Sequence, residues 1–199
     1  MDFAPLTIPP AQHARLLAAY ADPPRAYHHF GHVGEVLAQC AAVAAGPGWT
    51  HPREVFLAVL YHDAIYVPGR SDNEQRSAQL AQEQIALGWP GQGIDIARVA
   101  ELIALTARHG QLRPGDVDGE AALFLDCDMA ILGAPPERFD AYDREIAQEY
   151  RGVVPAWLFR IKRRQFLRGV LASPRIYLSE WFHARLDAAA RANLRRACG

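Results

Sequence analysis

Apolar residues recur every three to four positions along most of this chain, which is the spacing of a helix that buries one face. Glycine and proline interrupt the pattern repeatedly, so we expect about eight helices separated by turns. No stretch of useful length shows the two-residue alternation of a strand. The pattern therefore predicts an all-α fold without a sheet.

The first two predicted helices have clear limits in the sequence. The prolines at 9 and 10 can open the first helix, because proline is tolerated in a first turn, and Asp22-Pro23-Pro24 should end it. The second helix should run from about Tyr27 to Ala45. It carries His28 and His32 four positions apart, which places both on one helical face. That spacing suits a metal ion, but each histidine taken alone also suits a structural role.

The third predicted helix, with Thr50 as its cap, contains the most unusual stretch. Nearly every residue from Glu54 to Tyr66 is apolar, yet the run carries His62 and Asp63 side by side. An ionised carboxylate removed from water needs a cation, a strong hydrogen bond or a proton. A bound metal ion is the simplest explanation. Because two ligands rarely hold a divalent ion, we expect further His and Asp residues in apolar surroundings.

Acidic candidates occur in two later helices. Ser71-Asp72-Asn73-Glu74 has the form of a capping box, so Glu74 either satisfies its own helix end or belongs to a site. The helix predicted at 121–132 is apolar on nearly every face but contains Asp126 and Asp128. These two lie about 200° apart around a helix, so only one of them should face a site.

The remaining predicted helices are bounded by turn and capping residues. A helix from Ile94 to His109 should have Gly110 as its C-cap. Two amphipathic helices follow at 136–151 and 155–172, and Ser179 can cap the last, at 180–198. The helix at 155–172 carries a basic cluster, Arg160-Ile161-Lys162-Arg163-Arg164 with Arg168, near Trp157. This cluster offers contacts to an anion, and the alternative is a solvated helix face. Tyr142, Tyr150 and Trp157 suit stacking on a base, and the alternative is that they belong to the core.

Composition narrows the class of protein. The 199 residues suffice for one domain that buries about 70% of the surface of the unfolded chain. Lys and Arg number 21 against 22 Asp and Glu, so no nucleic-acid or anionic membrane partner is expected from the net charge. Cys40, Cys127 and Cys198 form no CxxC pattern and should be reduced thiols. With no leader-like N-terminus and no apolar run of about 18 residues, we expect a cytoplasmic protein.

Taken together, these residues resemble the signature of the HD superfamily of metal-dependent phosphohydrolases, a helical set of the form H…HD…D. More closely, the chain resembles the small bacterial group of predicted HD superfamily hydrolases, over nearly its whole length. The segments that carry the resemblance are Tyr27-His28-x-x-x-His32, His62-Asp63-Ala64-x-Tyr66, Asn73-Glu74-x-x-Ser77-Ala78, Thr106-x-x-His109, Asp126-x-Asp128 and Ala190-Arg191-x-Asn193-Leu194.

The resemblance implies a single HD domain over 1–199, with a metal-site core at about 25–132 and C-terminal helices at 136–198 packed on it. It implies four metal ligands: His32, His62, Asp63 and Asp128. His28 in place of His32, and Asp126 in place of Asp128, stay open. Asp63 and Glu74 are assigned to orienting a water molecule, and His28, His109 and Asp126 to substrate binding or to hydrogen bonds with the ligands.

The function implied is hydrolysis of a small phosphorylated compound, expected to be a nucleotide, by a water that a divalent ion activates. The ligand types leave Mn, Fe, Co, Ni, Zn and Mg open. One alternative is a di-iron HD-type oxygenase, in which His28, Glu74 and His109 serve a second metal. Another is a sensor domain that binds metal or nucleotide without turnover. A homodimer is compatible with the sequence.

Overall fold

The computed structural model describes residues 3–21 and 25–199, and within these ranges the regular structure is helical, with no strand. The prediction of an all-α fold is therefore confirmed for the described residues. The chain divides into one unit up to Arg108 and a second from His109 to Gly199. The predicted single domain over 1–199 stays a prediction. The expected end of the first helix at Asp22-Pro23-Pro24 lies outside the described residues.

The first unit is organised around its third helix. Its described helices are α1 Pro10–Ala21, α2 Phe30–Ala44, α3 Pro52–Tyr61, α4 Asn73–Gly88 and α5 Ile96–Thr106. Every residue of α3 from Glu54 to Tyr61 is buried, and α3 packs against α2, α4 and α5. A helix that is apolar on nearly all faces must be covered on all sides, which explains this central position. The Tyr20 hydroxyl on α1 donates a hydrogen bond to the Leu60 carbonyl of α3.

His28 and His62, which the sequence pattern predicted to lie inside helices, lie outside them in the structure. α2 begins at Phe30 and not near Tyr27, because the ring of His29 acts as N-cap and accepts a hydrogen bond from the Gly31 amide. His28 therefore precedes the helix, and the argument that His28 and His32 share a helical face is wrong. The α-helix α3 ends at Tyr61, so His62 is its C-cap and Asp63 lies in the following turn.

Three further limits differ from the sequence-based expectation. α3 follows His51 and not Thr50, with proline in its first turn. α4 has Asp72 and not Ser71 as N-cap and makes no side-chain cap hydrogen bond, so the predicted capping box is wrong. α5 ends at Thr106, which places His109 in a turn that contains Gly110 at a φ of +76°.

The second unit is built around its last helix. Its described elements are α6 Gly119–Met129, a 3-10 helix Ala130–Gly133, α7 Pro136–Glu149, α8 Ala156–Ala172 and α9 Glu180–Cys198. α9 packs against α6, the 3-10 helix and α8. Its predicted cap is confirmed, because the Ser179 side chain accepts from the Phe182 amide. None of the helices in the described ranges combines the length and hydropathy that a membrane span requires.

Candidate metal centre

Three of the predicted ligands lie together in the first unit. His32 comes from α2, His62 ends α3, and Asp63 follows it. The His62 Nε2 atom lies 3.2 Å from His32 Nε2 and 3.1 Å from Asp63 Oδ2, and His32 Nε2 lies 3.8 Å from Asp63 Oδ2. Both histidine side chains are almost fully buried, at 3% and 1% exposure, whereas Asp63 is 17% exposed. One potential ligand atom from each of the three side chains thus lies within 4.8 Å of the other two.

The backbone fixes which nitrogen of His62 points into this cluster. His62 Nδ1 lies 2.8 Å from the carbonyl oxygen of Val59, one turn earlier in α3. A carbonyl only accepts, so Nδ1 carries a proton, and in the neutral ring Nε2 is then the nitrogen with the lone pair. Ligating histidines characteristically donate their second ring N–H to such a partner. His62 is therefore held in the tautomer that a metal ligand needs.

The distances within the cluster fit a small divalent ion. Three ligand atoms about 2.1 Å from a tetrahedral ion lie about 3.4 Å from one another. The observed separations of 3.1, 3.2 and 3.8 Å lie on both sides of that value. Two imidazoles and one carboxylate form a donor set of the kind that Mn, Fe, Co, Ni and Zn accept. The separations of these atoms in His32, His62 and Asp63 are thus compatible with one shared ion.

Arg25 holds the turn that carries Asp63. Its guanidinium donates to the backbone carbonyls of Ala19, His28, Asp63 and Ala64. The bonds to Asp63 and Ala64 give partners to carbonyls that lie beyond the end of α3 and have no helical partner there, which stabilises the turn. One half-buried cation thereby links the end of α1, the entry to α2 and the turn after α3.

Two polar residues of α4 bind the next part of the same turn. Ser77 Oγ accepts from the Ile65 amide and donates to the Ile65 carbonyl. Asn73 pairs in the same way with the amide and carbonyl of Val67. Asn73 and Ser77 are both buried. The segment 62–67 is therefore fixed by side chains on both flanks, so the position of Asp63 is set by tertiary contacts.

His28 and Glu74 lie in the first unit but contribute no atom to the three-residue cluster. The His28 ring stacks on Tyr66, with ring centroids 4.0 Å apart, and its centroid lies 6.1 Å from that of His32. Its place beside His32 comes from this stacking and not from helical spacing. Glu74 lies in the first turn of α4 and is half-buried. The substrate-binding role of His28 and the water-orienting role of Glu74 stay predictions.

The candidates of the second unit form a separate set of contacts. His109 Nδ1 lies 3.5 Å from Asp128 Oδ2, and both side chains are mostly buried. Asp126 accepts from the amides of Leu178 and Ser179 and from the Ser179 hydroxyl, so both of its oxygens are engaged. Burial raises the pKa of Asp126 to about 6, although these hydrogen bonds lower it. Asp128 as a fourth ligand stays a prediction.

Sequence reasoning missed the residues that position the cluster. Arg25 follows two prolines in a region without helical pattern, and no signal in the chain points to its four carbonyl partners. Asn73 and Ser77 lie in a segment that carries the resemblance, but no pattern in the sequence indicates a role for either residue. The Val59 carbonyl is a backbone group, so a sequence motif, which specifies side chains, does not identify it.

Comparisons with known proteins add no assignment. No protein-family model, curated protein or solved structure matches the chain.

Proposed function

We propose that the protein binds one divalent metal ion through His32, His62 and Asp63 and hydrolyses a small phosphorylated compound. The observation that carries the proposal is the convergence of His32 Nε2, His62 Nε2 and an Asp63 oxygen within 4.8 Å of one another. The resemblance to HD phosphohydrolases supplies the reaction class. The expected substrate is a nucleotide.

In this proposal, some residues of the chain bind the ion and others hold the ligands in position. His62 offers Nε2 because Val59 holds the proton on Nδ1. Asp63 adds the negative charge that two neutral imidazoles lack, and its 17% exposure leaves it open to solvent. Arg25, Asn73 and Ser77 keep the turn in place. A divalent ion in this position would lower the pKa of a water molecule and neutralise charge on a phosphoryl oxygen.

Metal binding is tested first, without reference to turnover. The purified chain is titrated with Co²⁺ and Mn²⁺ by equilibrium dialysis, with the visible absorption of Co²⁺ as a second signal. We expect one ion per chain, and about a tenfold or greater loss of affinity in His62→Ala and in Asp63→Ala. His51→Ala is the matched control, because His51 is exposed and precedes α3 without a side-chain cap bond. Equal binding by all four proteins would refute the site.

Turnover is tested separately, by release of phosphate or pyrophosphate from a panel of nucleotides with and without added metal. We expect metal-dependent release that His62→Ala abolishes. Tight nucleotide binding without product would favour the sensor alternative. Iron at about two per chain with an oxygen-sensitive spectrum would favour the di-iron alternative. Release that is independent of metal would refute the proposed reaction.

A further inference from the structure

Positive charge is concentrated in one stretch of the second unit. Seven of the 21 Lys and Arg residues lie between positions 150 and 179, and none of the 22 Asp and Glu residues does. Two of these seven are used internally: Arg163 pairs with Asp143, and Arg175 pairs with Glu180. The remaining charge is therefore a local feature that the net charge of −1 conceals.

The outer face of α8 presents part of this charge to solvent. Trp157, Ile161, Arg164 and Arg168 follow one another at intervals of three to four residues, and Arg160 lies on the same side. We call these five residues the basic face. Trp157 is 60% exposed and Ile161 56%, and the three arginines are exposed as well. The buried side of α8 carries Leu167 and Val170 instead.

The three arginines of the basic face are available to an anion. Arg160, Arg164 and Arg168 form no ion pair with any residue in 3–21 or 25–199. Three like charges on successive turns repel one another, which destabilises the isolated helix. No carboxylate of the described residues pairs with these arginines to offset the repulsion, whereas a bound polyanion would offset it.

A concavity adjoins the basic face where α7 and α8 are connected. Its volume is about 390 Å³, within the range of small-molecule sites. Tyr150, Phe159, Arg151 and Arg160 line it, and the rings of Tyr150 and Phe159 are 5.2 Å apart. Arg160 belongs to both the concavity and the basic face. Aromatic rings and unpaired cations thus continue from one into the other.

We infer that the basic face and this concavity bind single-stranded nucleic acid. Arg160 and Arg168 are eight residues apart, about 12 Å along the helix, so the three arginines can contact more than one phosphate of an extended strand. The exposed Trp157 can stack only on a base that is not already stacked in a duplex. The inference departs from the expectation drawn from net charge, and it does not depend on the metal cluster.

A membrane surface fits these residues less well. A helix that lies in a membrane interface places its apolar side chains on one face and its cations on the other. Here Trp157 and Ile161 alternate with the arginines on the same face, so inserting them would carry three guanidinium groups toward the acyl chains. The mixed face matches a partner that has charged phosphates and flat apolar bases together.

The test is a fluorescence anisotropy titration of labelled single-stranded RNA and DNA, about 12 nucleotides long, with the full chain. Two variants separate the two contributions. Arg160→Gln/Arg164→Gln/Arg168→Gln should lower affinity about tenfold or more and reduce the slope of log K against log salt by about 2. Trp157→Ala should lower affinity about tenfold and leave that slope unchanged. Comparing the RNA and DNA titrations shows which of the two nucleic acids binds more tightly.

The matched control removes the same charge from the first unit, as Arg15→Gln/Arg76→Gln/Arg108→Gln, at three exposed positions. It should bind as the parent does. An equal loss in this control would overturn the inference, because net charge alone would then explain binding. Binding of duplex as tightly as single strand, preference for anionic vesicles, or a dimer that covers Trp157 would each overturn it as well.

Discussion

The Nε2 atoms of His32 and His62 lie 3.2 Å apart although 30 positions separate the two residues. α2 and α3 pack together, and this packing brings one histidine from the first turn of α2 to the other at the end of α3. Two lone-pair donors so close, with a carboxylate oxygen 3.1 Å from one of them, favour a shared cation. The contacts that hold these three side chains in place can be tested by single substitutions.

Arg25 should control metal affinity without contacting the metal. In Arg25→Ala, the carbonyls of Asp63 and Ala64 lose their donor and the turn relaxes, so we expect Co²⁺ affinity to fall about 10- to 100-fold. The measurement is equilibrium dialysis of folded protein, with circular dichroism as the check on helix content. Arg53→Ala is the control, since Arg53 also donates to two backbone carbonyls, those of Gln92 and Gly93, but lies at the opposite end of α3 from His62. Similar losses in both variants would contradict a positioning role for Arg25.

Ser77 should contribute to stability through the turn it binds. Ser77→Ala leaves the amide and carbonyl of Ile65 without their side-chain partner in a buried setting, which should cost about 1–3 kcal/mol of unfolding free energy. Ser71→Ala serves as control, because Ser71 is exposed and does not cap α4, and it should change stability by less than about 0.5 kcal/mol. Urea unfolding measures both. A larger effect at Ser71 would restore the capping box that the structure lacks.

Gly133 should be intolerant of a side chain. A Cβ at this position of the 3-10 helix would lie 2.7 Å from the Leu186 Cβ and 3.1 Å from the Leu186 carbonyl oxygen of α9. Gly133→Ala should therefore destabilise the protein by about 1–3 kcal/mol. Gly169→Ala on α8, where no atom lies within 4 Å, should stabilise it by about 0.5–1 kcal/mol. Thermal unfolding of the two variants gives the sign of each change in stability. Changes of the same sign would contradict the close approach of Gly133 to Leu186.

Asp187 should give the protein part of its acid sensitivity. Burial raises the pKa of this carboxyl, but hydrogen bonds from the Ile176 amide and from Arg191 outweigh burial, and the pKa is lowered overall. Its stabilising contribution is complete above the unfolded pKa of about 3.9 and is lost as the pH falls through the lower folded pKa. Asp187→Asn should thus cost about 1–3 kcal/mol near neutral pH and progressively less in acid.

The measurement for Asp187 is the free energy of unfolding of parent and variant at a series of pH values. Asp140→Asn is the control, because its pair with Arg196 is about half exposed and should contribute less than about 1 kcal/mol at any pH. A difference between parent and Asp187→Asn that stays constant into acid would show that ionisation of Asp187 is not what stabilises the fold.

The helical class of the protein follows from the order of residues alone. Apolar side chains at intervals of three to four, interrupted by glycine and proline, already require helices, because that period alone gives each helix one continuous buried face. The same reasoning identified His62 and Asp63, since polar groups inside an apolar run need a partner. It also found Ser179, whose capping role depends only on residues next to it in the chain.

Only the tertiary structure decided where helices stop and which side chains meet. The sequence pattern predicted that α3 continues to Tyr66. In the structure, Arg25, Asn73 and Ser77 instead form hydrogen bonds with carbonyls and amides of the turn after α3, which stabilise its non-helical conformation. Each of these partners is distant in the chain or lies on another helix, so no local pattern reports it. The approach of the Asp63 carboxylate to Nε2 of both His32 and His62, on which the candidate metal site depends, is therefore a result of packing.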